Sequence, residues 1–245
     1  MSDDTVTIEY SLSSDRGERK NHVVHLDGST MSLRNPPPPA LPEWTRLSFY
    51  QCPNCPLNPA RHSHCPVAVG LVEVIESFKG CLSHEVVDVT VKTPNRAYHK
   101  RASFQEAVSS LMGLHMASSG CPILDKLRPL VATHLPFASV EETLYRTVSM
   151  YLLAQFFRWK RGETPDWEMR DLVANCEDLA AVNAAFGKRI LNINSLDANL
   201  NALVSLDCFS GLTGMSISRG FIDENLEAWF EAHFKPGTTP EGKAA

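Results

Sequence analysis

The stretch VVDVTVKTPNRAYHKRASFQEAVSSLM, Val86 to Met112, holds the pattern that decides the fold. Val86 to Val91 is β-branched apart from Asp88 and suits a pleated strand. Thr93-Pro94-Asn95 makes a turn, and Arg96 to Arg101 can return as the hairpin partner. At Ser103 the apolar period changes from two to 3.6. Ser103 and Glu106 have capping-box spacing, and Phe104, Val108, Leu111, Met112 and His115 fall on one helical stripe. Strands before this point and helices after it predict an α+β protein: an N-terminal antiparallel β module with a cysteine knuckle, and a C-terminal helical bundle.

Upstream, Val6, Ile8, Tyr10 and Leu12 alternate with polar residues, a turn covers Ser13 to Asn21, and His22 to Leu26 pairs back. Asp27-Gly28 marks a second turn and Met31 to Leu33 a further pairing, before Pro36 to Pro39 stop regular structure as a stiff spacer. A short strand is expected at Thr45 to Tyr50, and Pro66 opens an amphipathic helix through Phe78 that Gly80 ends. Downstream, a helix is expected from Pro122. Another is expected from the Ser139/Glu142 capping box to Gly162, with Val140, Leu144, Val148, Leu152, Phe156 and Trp159 on one face. Tyr145, Leu153 and Phe157 add a flank, which marks that helix as central. Trp167 to Cys176, Leu179 to Ile190, Leu196 to Phe209 and Glu224 to Phe234 are helical by spacing. The expected organisation is a β-rich module over 1–101 with one helix, a helical bundle over 102–235 and a flexible tail over 236–245.

With 245 residues, 43% hydrophobic and 21% charged, the chain can bury a sizeable core. A net charge of −5 argues against a surface devoted to nucleic acid or anionic lipid. Seven cysteines are too few for a disulfide framework, and the first 20 residues are acidic where an export signal would be basic and then apolar. The most apolar run, Val148 to Phe157, is half the roughly 20 residues that span a bilayer. These features predict a cytoplasmic protein with no membrane insertion.

Cys52, Cys55, Cys65 and Cys121 are each followed by proline, whereas Cys81, Cys176 and Cys208 are not. Sixteen prolines scattered over 245 positions would put about half of one after seven cysteines, so four is an excess. Four is also the ligand number of a tetrahedral site, and the C-x-x-C pair can offer two thiolates from one turn. Cys65-Pro66 and Cys121-Pro122 stand at expected helix starts, where the positive end of the helix dipole favours thiolate. Zinc on Cys52, Cys55, Cys65 and Cys121 is the first reading, and an iron–sulfur cluster on the same residues is the second. The bland alternative is four separately buried thiols with no metal. His62 or His64 is an alternate for the fourth ligand, and His115 is an alternate ligand or ligand support that more often would be a satisfied core residue.

Other chemistry is weaker. Glu141, Glu142 and Arg146 near His134 could do acid–base work, but acidic residues in a first helical turn followed by arginine are routine stabilisation. Lys92, Arg96, Tyr98, Lys100 and Arg101 form a basic hairpin that could touch nucleic acid, although a solvated strand face explains it better. Hydrolase elbows, phosphate loops, dinucleotide fingerprints and the H-E-x-x-H motif are missing, which lowers the weight of the commonest enzyme classes.

Gln51-Cys-Pro-Asn-Cys-Pro-Leu57, Ser119-Gly-Cys-Pro122, His134-Leu-Pro-Phe137 with Glu141-Glu142-Thr143, and Ser149-Met-Tyr-Leu-Leu-Ala-Gln155 resemble the signature blocks of an uncharacterised bacterial family, a domain of unknown function. The resemblance implies a bacterial cytoplasmic protein and carries over no catalytic residue. The expectation is a non-enzymatic, metal-stabilised regulatory or interaction protein with an unknown protein partner. An iron–sulfur redox or sensor protein is the alternative, and nucleic-acid binding is disfavoured.

Overall fold

The computed structural model describes residues 4–193, 197–218 and 226–235. Four strands, β1 (Thr5–Ser14), β2 (Arg19–Asp27), β3 (Val86–Lys92) and β4 (Ala97–Ser103), form one antiparallel sheet in the order β2-β1-β3-β4. Seven helices follow or interrupt them among the described residues: α1 (Pro66–Phe78), α2 (Phe104–Ser118), α3 (Arg128–Ala132), α4 (Val140–Lys160), α5 (Arg170–Leu191), α6 (Asp197–Ser218) and α7 (Glu231–Phe234). The class is α+β, as the change of period at Ser103 predicts.

Period-two alternation decides which sheet face is covered. Ile8, Tyr10 and Leu12 of β1, Val24 and Leu26 of β2 and Val87, Val89 and Val91 of β3 are buried together, while Glu9 and Ser11 point to water. Tyr10 faces His22 on one side and Val91 on the other, so a one-residue slip would expose the whole apolar set. α1 and α2 cover that face, α6 packs against α2 from outside, and α5 packs against α6. Leu71, Ile75, Leu111 and Met112 are fully enclosed, each worth about 1.5–3 kcal/mol of burial. Residues on both sides of position 101 share this core, which runs from Ile8 to Leu203.

Several local expectations are revised. No strand forms at Thr45 to Tyr50. Glu43–Thr45 is a 3-10 turn, and the chain beyond it is held to 63–65 by Leu47 N–H donating to Ser63 O (3.0 Å) and Cys65 N–H to Thr45 O (2.8 Å). Met31 to Leu33 contributes a lone bridge, Leu33 to Leu26, and Pro36 to Pro39 is irregular as expected. Pro122 does not open an α-helix. A 3-10 turn at Leu124–Leu127 leads into α3, where Pro129 sits in the first turn and needs no amide partner. The two segments expected at Trp167 to Cys176 and Leu179 to Ile190 are one helix, α5, because nothing between them breaks the backbone pattern. The tail over 236–245 lies outside the described residues.

α4 is not central. Leu144, Val148 and Tyr151 pack with Leu172 and Leu226 in a small second core, whereas Phe157 and Trp159 are 51% and 57% exposed. Its start does match expectation: Glu142 N–H donates to Ser139 Oγ (3.2 Å) and Ser139 N–H to Glu142 Oε2 (2.8 Å). Ser139→Ala is therefore expected to lower the unfolding free energy by about 1 kcal/mol, read from urea melts.

Candidate functional site

The loop between the 3-10 turn and α1 carries three of the four Cys-Pro cysteines. Tyr50 adopts a left-handed backbone (φ 50°), a costly conformation for a side-chain-bearing residue that re-aims the chain into the C-x-x-C turn. Within that turn Cys55 N–H donates to Cys52 O (3.1 Å), and Gln51 Nε2 donates to Leu57 O (2.9 Å) to close the loop. Asn54 Nδ2 reaches across to Asp178 of α5, to its carbonyl (3.1 Å) and carboxylate (3.0 Å). Cys65 is the N-cap of α1, directly before Pro66, as the sequence predicts.

Cys121 arrives from the far end of α2. Gly120 (φ 81°) turns the chain back after the helix, a conformation that suits glycine. Although no α-helix starts at Pro122, the amides of Ile123 and Leu124 donate to the Cys121 thiol, so the turn supplies what the missing helix terminus would have. Cys52, Cys55, Cys65 and Cys121 border a single cavity of about 20 Å³, roomy enough for one water-sized sphere. Leu47, Val182 and Phe186 close it with apolar surface. Among the described residues, no three or more of His, Cys, Asp and Glu are grouped as a metal ion would hold them. Cys81 is buried beside Lys20 and Cys176 lines a different cavity, so neither belongs to this set.

Arg189 of α5 also lines the cavity and was not singled out by sequence. It is 1% exposed, and Nη1 donates to the carbonyls of Trp44 and Arg46, the latter at 2.8 Å. Its guanidinium lies 5.7 Å from the Phe49 ring centre. Among the described residues it makes no ion pair with a carboxylate; the groups of opposite sign available to it are the thiolate forms of Cys65, Cys52 and Cys55. Burial pushes the Cys52 thiol up to about 12, the neighbouring Cys65, Cys55 and Cys121 push it the same way, and Arg189 opposes them. Burial also raises the Cys121 thiol, against the pull of the two amides. Arg189 continues the apolar stripe Leu172, Cys176, Leu179, Val182, Phe186, and a cation on such a stripe is the sequence signal that could have found it.

The three histidine alternates lie elsewhere. His62 is exposed, His64 shares a hydrogen bond with Thr45 Oγ1 (2.8 Å), and His115 is buried between α1 and α2 with Nδ1 unsatisfied. Two of the four cations in the basic hairpin are paired: Lys100 with Glu106 (2.5 Å) and Arg101 with Asp15 (2.6 Å) and Asp88 (3.4 Å). Glu142 is occupied by its capping box.

Residues 8–231 match a protein family described as a domain of unknown function, DUF6901. The chain belongs to that family. No curated protein and no solved structure matches this DUF6901 chain. No helix among its described residues is long and apolar enough to cross a membrane.

Two buried histidines give the fold a pH dependence. Burial pushes His115 and His134 down to about 4, with His22 adding to the effect on His115 and Arg146 to that on His134. Both are uncharged in the folded chain at neutral pH, whereas the unfolded chain binds protons below about 6.5. Their contribution is complete above about 6.5 and is lost as pH falls toward 4, by on the order of a few kcal/mol. Urea unfolding at about pH 7 and about pH 4.5 checks this, with a smaller drop expected in His115→Leu, which removes one titrating ring.

Proposed function

We propose that this DUF6901 chain binds one metal ion, zinc, through Cys52, Cys55, Cys65 and Cys121, and that the ion pins the 46–65 loop and the 119–123 turn to the body of the fold. The observation that carries the reading is Arg189. A guanidinium keeps its proton in proteins, and a buried one costs several kcal/mol unless an opposite charge meets it. Neutral thiols give Arg189 carbonyl oxygens and a ring face but no anion. Four thiolates around a divalent ion carry a net charge of two minus, and Arg189 offsets half of it.

The donor set suits a soft or borderline ion, and amides directed at the Cys121 sulfur are the usual support for a thiolate ligand. Raised thiol pKa values are the metal-free condition; a bound ion displaces those protons. The small volume of the cavity favours a single ion over a cluster of several irons and sulfides. The described residues that line the cavity beside the cysteines are Leu47, Val182, Phe186 and other groups that suit packing, together with Arg189, so the site reads as structural. The chain then acts as a non-enzymatic regulatory or interaction protein in a reducing, cytoplasmic setting, a reading that the resemblance of its blocks to a bacterial family supports.

Elemental analysis and a visible spectrum of protein purified anaerobically without added metal test this. One zinc per chain and no colour are expected. Iron with absorbance near about 400 nm would replace zinc by a cluster, and the absence of any stoichiometric metal would overturn the reading.

A further inference from the structure

A second, larger cavity of about 450 Å³ opens between α2, α3, the start of α4 and α6, within the roughly 300–1,000 Å³ range of small-molecule sites. It takes up the His134-Leu-Pro-Phe137 block, which has no part in the thiol cavity. Its walls are mainly apolar, from Leu114, Ala117, Leu127, Val131 and Leu206. Polar groups converge at one side. His134 Nε2 bonds the buried Tyr10 hydroxyl (2.6 Å), which also bonds Ser110 Oγ (2.8 Å), so the ring that lines the cavity is fixed through Nε2. Arg146 stands beside it, its Nη2 donating to Leu130 O (3.0 Å) and Thr133 O (2.8 Å). That anchorage occupies one nitrogen, and among the described residues Nε and Nη1 bond no protein acceptor. Among the described residues Arg146 makes no ion pair, since Glu142 is held in its capping box and Glu106 is tied to Lys100.

We propose that this cavity binds an apolar small molecule bearing a carboxylate, with the tail against the leucine-lined walls and the carboxylate held by Arg146 and His134. A half-buried guanidinium anchored by two carbonyls is a preorganised carboxylate clamp. A neutral imidazole whose far nitrogen is already bonded can donate one further hydrogen bond. An amine would meet the Arg146 charge, and an alcohol would leave it unanswered.

Calorimetric titration of the full-length protein with decanoate, decanol and decylamine tests the proposal. Decanoate is expected to bind one per chain, at least about tenfold tighter than decanol or decylamine. Arg146→Gln is expected to weaken decanoate by about tenfold or more and leave decanol unchanged, while Ser205→Phe, at the cavity wall, abolishes both. The wild-type comparison decides the matter even where a variant folds poorly. Equal affinity for the three probes, unaltered decanoate binding in a folded Arg146→Gln, or no saturable decanoate binding would each overturn it.

Discussion

Cys52→Ser combined with Cys55→Ser is expected to abolish stoichiometric zinc and to destabilise the chain more than any other substitution considered. A structural zinc site contributes on the order of 10 kcal/mol, because the ligands are gathered only in the folded state. Apart from the ion, the loop has an irregular backbone with a strained Tyr50 and is held by two bonds to 63–65, the Gln51 bond to Leu57, the Asn54 link to α5 and the Arg189 contacts with Trp44, Arg46 and Phe49. Losing the ion should therefore free that loop and uncover Leu47, Val182 and Phe186. Cys81→Ser and Cys176→Ser provide the contrast. Both thiols are buried away from the cavity, so each costs about 1–3 kcal/mol and leaves zinc content at one per chain. Zinc content and urea melts of the three proteins separate the Cys52/Cys55 pair from Cys81 and Cys176; equal zinc loss in all three would contradict the assignment.

Arg189→Met is expected to weaken zinc binding by about 10- to 100-fold, the usual cost of losing a partner just outside the ligand shell. Methionine fills comparable apolar space against Phe49 and Phe186 but returns no charge to the thiolates. Arg189→Lys keeps the charge without the fork that spans the Trp44 and Arg46 carbonyls, and should fall between wild type and Arg189→Met. Competition with a chromophoric chelator measures all three affinities. Identical affinities would mean that Arg189 serves packing alone.

How far the sequence reaches can be judged from these same residues. The sheet was legible because its strands bury one face, so Ile8, Tyr10 and Leu12 announce themselves by alternation. The division of the cysteines by the prolines that follow them was legible too, and the four so marked border one cavity. Their alignment by helix termini was half right: Cys65 caps α1, while Cys121 receives its amides from a turn. Arg189 was hidden because it meets the loop across more than 140 positions, and nothing in local spacing records such a contact. The exposed aromatics of α4 misled for the opposite reason. Phe156, Phe157 and Trp159 have core chemistry at helical spacing, yet helical periodicity says which side chains share a face and not whether anything covers it. Thr45 to Tyr50 looked extended because local pattern cannot tell a strand from a loop that lacks a neighbouring strand.

X-ray absorption at the zinc edge tests the central claim most directly, since it counts the atoms around the ion. Four sulfurs at about 2.3 Å, with no nitrogen or oxygen in the first shell, is the predicted result for Cys52, Cys55, Cys65 and Cys121. A shell containing nitrogen or oxygen, or fewer than four sulfurs, would contradict it.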